Sequence, residues 1–129
     1  TPKPSSAASD VYKRQEIASI EMWQCRVHNE LMIPLAMGFR HLHPAMAAME
    51  NQNKEYGEAQ KQIAIKSLGY FNGVLGESEY VAGARYTFAD IQMITTTDFF
   101  IKLNRLELSD YPDIQRHSEL MSNRESFSA

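Results

Sequence analysis

The sequence predicts an all-α fold, a bundle of about four to five helices, on three observations. From Glu16 onward apolar residues recur at spacings of three and four, the mark of helix faces that meet a core. Thr87-Phe88-Ala89-Asp90 has the spacing of a helix-starting capping box, with Asp90 in place of the commoner Glu. No segment of four or more residues alternates apolar and polar between turn signals, so strands are not supported.

The elements follow in chain order. Thr1 to Gln15 combine Pro2, Pro4, Ser5, Ser6 and Ser9 with small residues and no apolar periodicity, which reads as a disordered tail outside the fold. The run Asp10-Val11-Tyr12-Lys13-Arg14-Gln15 also resembles the translation of a transposase end sequence used to prepare sequencing libraries, so residues 1–15 are expected to be non-native. The folded domain is expected to occupy 16–129. Its first helix starts near Glu16 and carries Ile20, Trp23, Val27 and Leu31 on one face. Pro34 interrupts the hydrogen-bond ladder, yet Leu35, Met37 and Phe39 continue the apolar pattern, which predicts a kink or a restart. Arg40-His41-Leu42-His43-Pro44 reads as a corner, followed by a short turn of helix over Ala45 to Met49 and a polar connection at Asn51, Gln52 and Asn53.

A second long helix over 54–75 places Ala64, Leu68, Phe71 and Leu75 on its core face, and Gly76 lies where a C-terminal cap favours glycine. After a loop through Tyr80, Val81 and Gly83, the capping box opens a helix over 87–104, with Ile94, Phe99 and Leu103 expected inward. Thr87 can cap the Asp90 amide, the Asp90 carboxylate can reach back to the Thr87 amide, and Tyr86 and Ile91 are spaced for the accompanying hydrophobic staple. Tyr111-Pro112 announces the last helix, 112–122, because proline is pre-organised for the first helical position.

Composition narrows the function. A chain of 129 residues, 43% hydrophobic and 22% charged, suits one soluble domain, and no apolar run approaches the roughly 20 residues that span a bilayer. A net charge of −3 without a basic cluster argues against a nucleic-acid partner. The single cysteine, Cys25, cannot form an internal disulfide, so a reducing, cytoplasmic compartment is expected.

Several side chains admit both a functional and a structural role. Trp23 shares a stripe with Ile20 and Val27, as core residues do, whereas Arg26, one position off it, could offer its planar donor fork to solvent or to an anion. Arg40, His41 and His43 form the densest polar group in an apolar stretch. They could orient a bound ligand or hydrogen-bond a corner between two helices. No metal site is expected, since His41 and His43 supply two ligands at best. Cys25 lies well inside its helix, where a packed or inert thiol is the expectation, and Asp98 among Thr95, Thr96 and Thr97 could be a buried carboxylate.

Tyr80-Val81-Ala82-Gly83-Ala84-Arg85-Tyr86-Thr87-Phe88-Ala89-Asp90-Ile91 resembles the signature around the capping box of the glutathione S-transferase C-terminal domain. Met22-Trp23-Gln24, the His41 to Pro44 corner and Tyr111-Pro112 sit in the order that bacterial and fungal-type members show, so the resemblance covers 16–129. Ala84 departs from the usual acidic residue, Cys25 replaces a common arginine, and Arg124-Glu125-Ser126 replaces Arg-Pro-Ser.

The resemblance implies a glutathione S-transferase C-terminal-like helical bundle whose partner, an N-terminal thioredoxin-like domain absent from this chain, binds glutathione and supplies the Ser, Cys or Tyr that steadies its thiolate. No catalytic residue is then expected here, and glutathione is a co-substrate of the complete protein rather than a bound cofactor. Trp23, Arg26, Val27, Phe39, Arg40 and His41 become candidates for lining the site of a small hydrophobic electrophile, while Thr87 and Asp90 are structural. The complete protein is expected to be a homodimer without membrane or nucleic-acid partners. The alternative is a non-catalytic dimerisation or protein-interaction module of the same fold.

Overall fold

The computed structural model describes the backbone of residues 3–124 and the side chains from Lys13 to Arg124. Helix α1 spans Lys3–Arg26, passes through a π-helical segment Val27–Met32, and continues as α2, Ile33–Leu42. A 3-10 turn at Pro44–Met46 leads to α3, Lys54–Glu77; α4 is Phe88–Leu103, and a second 3-10 turn at Leu108–Asp110 precedes α5, Pro112–Ser122. Among the described residues the only β-type pairing is one bridge between Tyr80 and Gly83, so the all-α expectation holds.

The backbone is helical from Lys3, which corrects both the start expected near Glu16 and the unstructured segment expected through Gln15. Pro4 falls in the first turn, where a missing N–H loses no partner, and Ala7 and Ala8 carry the highest helix propensity. How the side chains of residues 1–12 pack, and with it the reading of 1–15 as a tail apart from the domain, lies outside the described residues.

The interruption at Pro34 takes a specific form. Proline has no N–H for the Glu30 carbonyl, and its ring would collide with that carbonyl in a regular helix. The chain widens just before it: Val27–Met32 is π-helical, and the Ile33 N–H donates to His28 O, five residues back. Val27, Leu31 and Leu35 remain fully buried along this irregular rod.

At the corner the chain reverses and α3 runs antiparallel to α2, with Leu42 opposite Gly57 and Gly38 opposite Lys61. A Cβ at Gly57 would stand 2.8 Å from Leu42 Cγ and 2.9 Å from His41 Cβ, so only glycine permits this approach. The core forms where Ala64, Leu68, Phe71 and Leu75 of α3 meet Val27, Leu31 and Leu35, closed by Met93 and Ile101 of α4 and Ile114 of α5. Gly76 does not terminate α3 as expected. The helix runs to Glu77 with extended Ser78 as its cap, and Gly76 lies beside the Asp113 carboxylate of α5.

Helix α4 starts as expected. The Thr87 side chain accepts from the Ala89 N–H at 3.3 Å, and the Thr87 N–H donates to Asp90 Oδ2 at 2.8 Å, completing the capping box. Tyr86 finds its aromatic partner in Tyr80, with ring centroids 6.4 Å apart, and sits beneath the Arg124 guanidinium. The helix ends in a Schellman arrangement: Leu106 N–H donates to Ile101 O and Arg105 N–H to Lys102 O, both at 3.0 Å. Two inward expectations for α4 fail. Phe99 is 63% exposed, and Asp98 is an exposed acceptor for the Ser118 hydroxyl at 3.3 Å rather than a buried carboxylate.

The capping carboxylate also does more than cap. Asp90 is fully buried; its Oδ1 accepts from Val81 N–H and from His117 Nε2–H, each at 2.8 Å, and His117 is itself buried on α5. One carboxylate thus joins the Tyr80–Gly83 turn, the start of α4 and the middle of α5. Thr87→Ala should cost about 1 kcal/mol, the usual worth of a cap. Asp90→Ala should cost about 3 kcal/mol or more, because two buried donors lose their acceptor as well. Urea unfolding of the two variants checks the ranking, and equal losses would contradict the shared role of Asp90.

Candidate functional site

Two separate polar clusters receive the residues singled out from the sequence. In the first, Arg26 at the end of α1 is held from three sides. Its Nε donates to both Glu30 carboxylate oxygens at 3.2 and 3.3 Å, and its Nη1 donates to Tyr70 Oη on α3 at 2.7 Å. The guanidinium lies 5.0 Å from the Trp23 ring centroid and 4.6 Å from that of Tyr70, close enough for cation–π attraction. The hydrogen bond to Glu30 raises the Arg26 pKa further above its ordinary value, with Tyr70 adding to the effect against some desolvation. This arginine is charged and already satisfied. Trp23 is half-buried, edge-on to Phe71 at 6.2 Å, and Val27 is wholly within the core.

In the second cluster the corner is hydrogen-bonded throughout. Arg40 is ion-paired with Glu50, and Gln52 Nε2 donates to the Arg40 and His43 carbonyls. His41 Nδ1 accepts from the Asn53 N–H at 3.0 Å, and Asn53 in turn caps α3 through its side chain. His43 Nδ1 accepts from the Ala45 N–H, and the ring leans on Phe39 with centroids 4.9 Å apart. Each polar side chain fixes a backbone turn or closes an ion pair, which is the structural reading of this group.

A larger concavity than either cluster offers lies elsewhere, along α4. An open groove of about 750 Å³ is lined by Met32 from the π-helical segment and by Gln92, Ile94, Thr95, Thr96, Asp98, Phe99 and Phe100. Its surface is predominantly apolar, as small-molecule sites usually are. The Thr95 hydroxyl donates back to Ile91 O and Gln92 O within its own helix, which satisfies that polar group locally. None of Trp23, Arg26, Val27, Phe39, Arg40 or His41 lines it. Sequence reasoning assigned Phe99 to the core and passed over Met32. The available signal was that Phe88, Gln92, Thr95 and Phe99 lie at spacings of four, three and four, a stripe of their own on the face opposite Met93 and Ile101.

Cys25 is exposed, which corrects the packed half of the expectation of a packed or inert thiol. Among the described residues no three His, Cys, Asp or Glu side chains come together as metal ligands would.

Comparison with known proteins gives this architecture relatives. The family model "Glutathione S-transferase, C-terminal domain" matches residues 23–125. "Glutathione S-transferase 2" of Saccharomyces cerevisiae is 38% identical over 77 residues, 58% of this chain and 33% of that protein. Among solved structures, a glutathione S-transferase of class Gtt2 from Vibrio parahaemolyticus superposes with a TM-score of 0.75 at 26% identity, covering 88% of this chain and 53% of the other. Gtt2 from Saccharomyces cerevisiae gives 0.74 at 30% identity, covering 86% and 54%. The chain therefore spans about half the length of these solved relatives and a third of the curated one.

The groove should report itself to an apolar dye. Phe99→Ala is expected to weaken binding of an uncharged dye such as Nile red several-fold while shifting unfolding by less than about 0.5 kcal/mol, because so exposed a ring contributes little to stability. Fluorescence titration beside a thermal melt checks both halves.

Proposed function

The chain belongs to the glutathione S-transferase family as its C-terminal helical domain, and from that premise we propose that it forms the electrophile-binding half of a glutathione-transferring enzyme. The observation that carries this reading is the apolar groove on α4, whose Met32, Phe99 and Phe100 offer a hydrophobic electrophile an apolar surface. Glutathione is the co-substrate in this reading. Its thiolate attacks the electrophilic carbon and displaces the leaving group, and groups outside this chain hold the thiolate. Arg26 and Arg40, already engaged with Glu30 and Glu50, do not take that task.

Positioning of two reactants can account for about 7 to 11 kcal/mol of a barrier when well arranged. The chain by itself is accordingly expected to consume glutathione and an activated aryl halide no faster than buffer. Fusing a glutathione-binding thioredoxin-like domain ahead of it should produce turnover, with Phe99→Ala in the fusion raising KM for the electrophile and leaving that for glutathione unchanged. Turnover by the isolated chain would overturn the proposal.

A second reading, a dimerisation or interaction module, draws on the outer face of α3. Ile63 and Tyr70 are exposed there, and Cβ atoms built at Gly69 and Gly73 meet nothing within 4 Å. If this face pairs two copies, Gly73→Arg should convert a dimer to monomer in sedimentation velocity without lowering the melting temperature.

A further inference from the structure

A second concavity, independent of the proposed conjugation chemistry, lies where the α2–α3 corner meets the end of α4. It is a cleft of about 310 Å³, at the small end of ligand-site volumes. Three cations reach it, Lys54 and Lys61 from α3 and Arg105 from the turn after α4, against one carboxylate, Glu58. In a chain of net charge −3 this is a local surplus of two positive charges. Among the described residues none of the three cations takes part in an ion pair or a side-chain hydrogen bond, whereas Arg26, Arg40, Arg85 and Arg116 all have acceptors.

The way these groups are held suggests more than a solvated face. His43 also lines the cleft; because its Nδ1 accepts from the Ala45 N–H, the neutral ring carries its proton on Nε2 and keeps a donor free. Asn104 is fixed by its own amide, which donates to Leu35 O at 3.0 Å and Phe100 O at 2.9 Å. Arg105 has φ of +58°, the one described non-glycine residue with positive φ, and occupies the position after a helix end that glycine fills at least cost. The positive φ belongs to the Schellman end of α4, and an arginine rather than glycine there brings a cation to the cleft.

We propose that this corner cleft binds a compact organic dianion, a dicarboxylate or a phosphomonoester, with Lys54, Lys61 and Arg105 matching its two charges and His43 donating a further hydrogen bond. The charge surplus sets the ligand's charge, and the volume keeps it small. Lysine ammonium groups and a guanidinium fork are the donors that carboxylate and phosphate oxygens accept best.

The test is an amide NMR titration of the whole chain at low ionic strength with inorganic phosphate, with succinate, and with glycerol as a neutral control. Saturable shifts confined to residues 38–61 and 103–106 are expected with at least one dianion and not with glycerol, and they should weaken as salt is added. Saturation by succinate alone identifies a dicarboxylate site; saturation by phosphate, a phosphate-group site. Lys61→Gln and Arg105→Gly should each weaken binding by about tenfold, in line with the loss of a charge-assisted hydrogen bond. Lys66→Gln, elsewhere on α3, should leave it unchanged. Arg105→Gly should also melt at or above the wild-type temperature, since glycine relieves the positive φ. Absence of saturable shifts with either dianion, or binding by Lys61→Gln and Arg105→Gly equal to wild type, would overturn the proposal. Because the readout is binding and not conjugation, failure here leaves the electrophile-site reading untouched.

Discussion

The buried carboxylate of Asp90 is the constraint on which the rest of the domain depends. A charge or a polar group with no access to water must have its acceptor positions filled, or it costs more than the fold can spare. Asp90 fills them with donors from three elements: Thr87 N–H at its own helix start, Val81 N–H in the preceding turn and His117 Nε2–H, 27 residues on in α5. The cap bond can close locally, but the full set forms only when the turn, the helix start and α5 are all in place. The penalty for leaving the carboxylate unpaired therefore couples elements that hydrophobic packing alone would hold only loosely in register.

The same accounting of polar groups explains why the conspicuous cations of the first helix and corner are poor candidates for ligand contact. A guanidinium hydrogen-bonded to a carboxylate and a phenol, and flanked by two rings, gains little by turning to a ligand and gives up bonds already made. Arg26 ties α1 to α3 through Tyr70. The corner histidines accept from backbone N–H groups at the starts of the Pro44–Met46 turn and of α3, where such donors have no helical partner. Polar density in an apolar stretch here marks the work of turning a chain, and the predominantly apolar groove lies on a helix whose Thr95 and Thr97 hydroxyls bond back to their own backbone.

How much of this was legible in the sequence varies with the range of the interaction. The helices over 54–75, 87–104 and 112–122 and the capping box rest on contacts within a few residues, so spacing alone revealed them. The partnership of Asp90 with His117 spans 27 residues, and nothing local to either one signals it. Gly76 looked like a cap because glycine serves both positive φ and close packing; beside Asp113 the second use applies. Phe99 looked like core because α4 is apolar on several faces, and periodicity cannot tell which face finds a partner. At the other end of α4, the expected stop near 104 is reached without glycine, an arginine taking the left-handed position that follows it. Of the candidate site residues, Trp23 and the corner lie where elements of this chain meet, but their burial and bonding could be read only from the folded chain.

The widened turn before Pro34 connects this local chemistry to the shape of the groove. A proline inside a long helix forfeits one hydrogen bond and meets the carbonyl four residues earlier, and a single π-helical segment accommodates both by adding a residue to the turn. That added residue rotates everything after it relative to a regular α-helix. Leu31 and Leu35 stay in the core on either side of the irregularity, while Met32, between them, lies at the groove beside Ile94 and Phe99. Met32 suits that place, since its unbranched thioether adapts to an irregular outline. The proline thus sets which side chain of the first rod meets α4, and an irregular turn in an otherwise regular bundle contributes the wall opposite the aromatic pair.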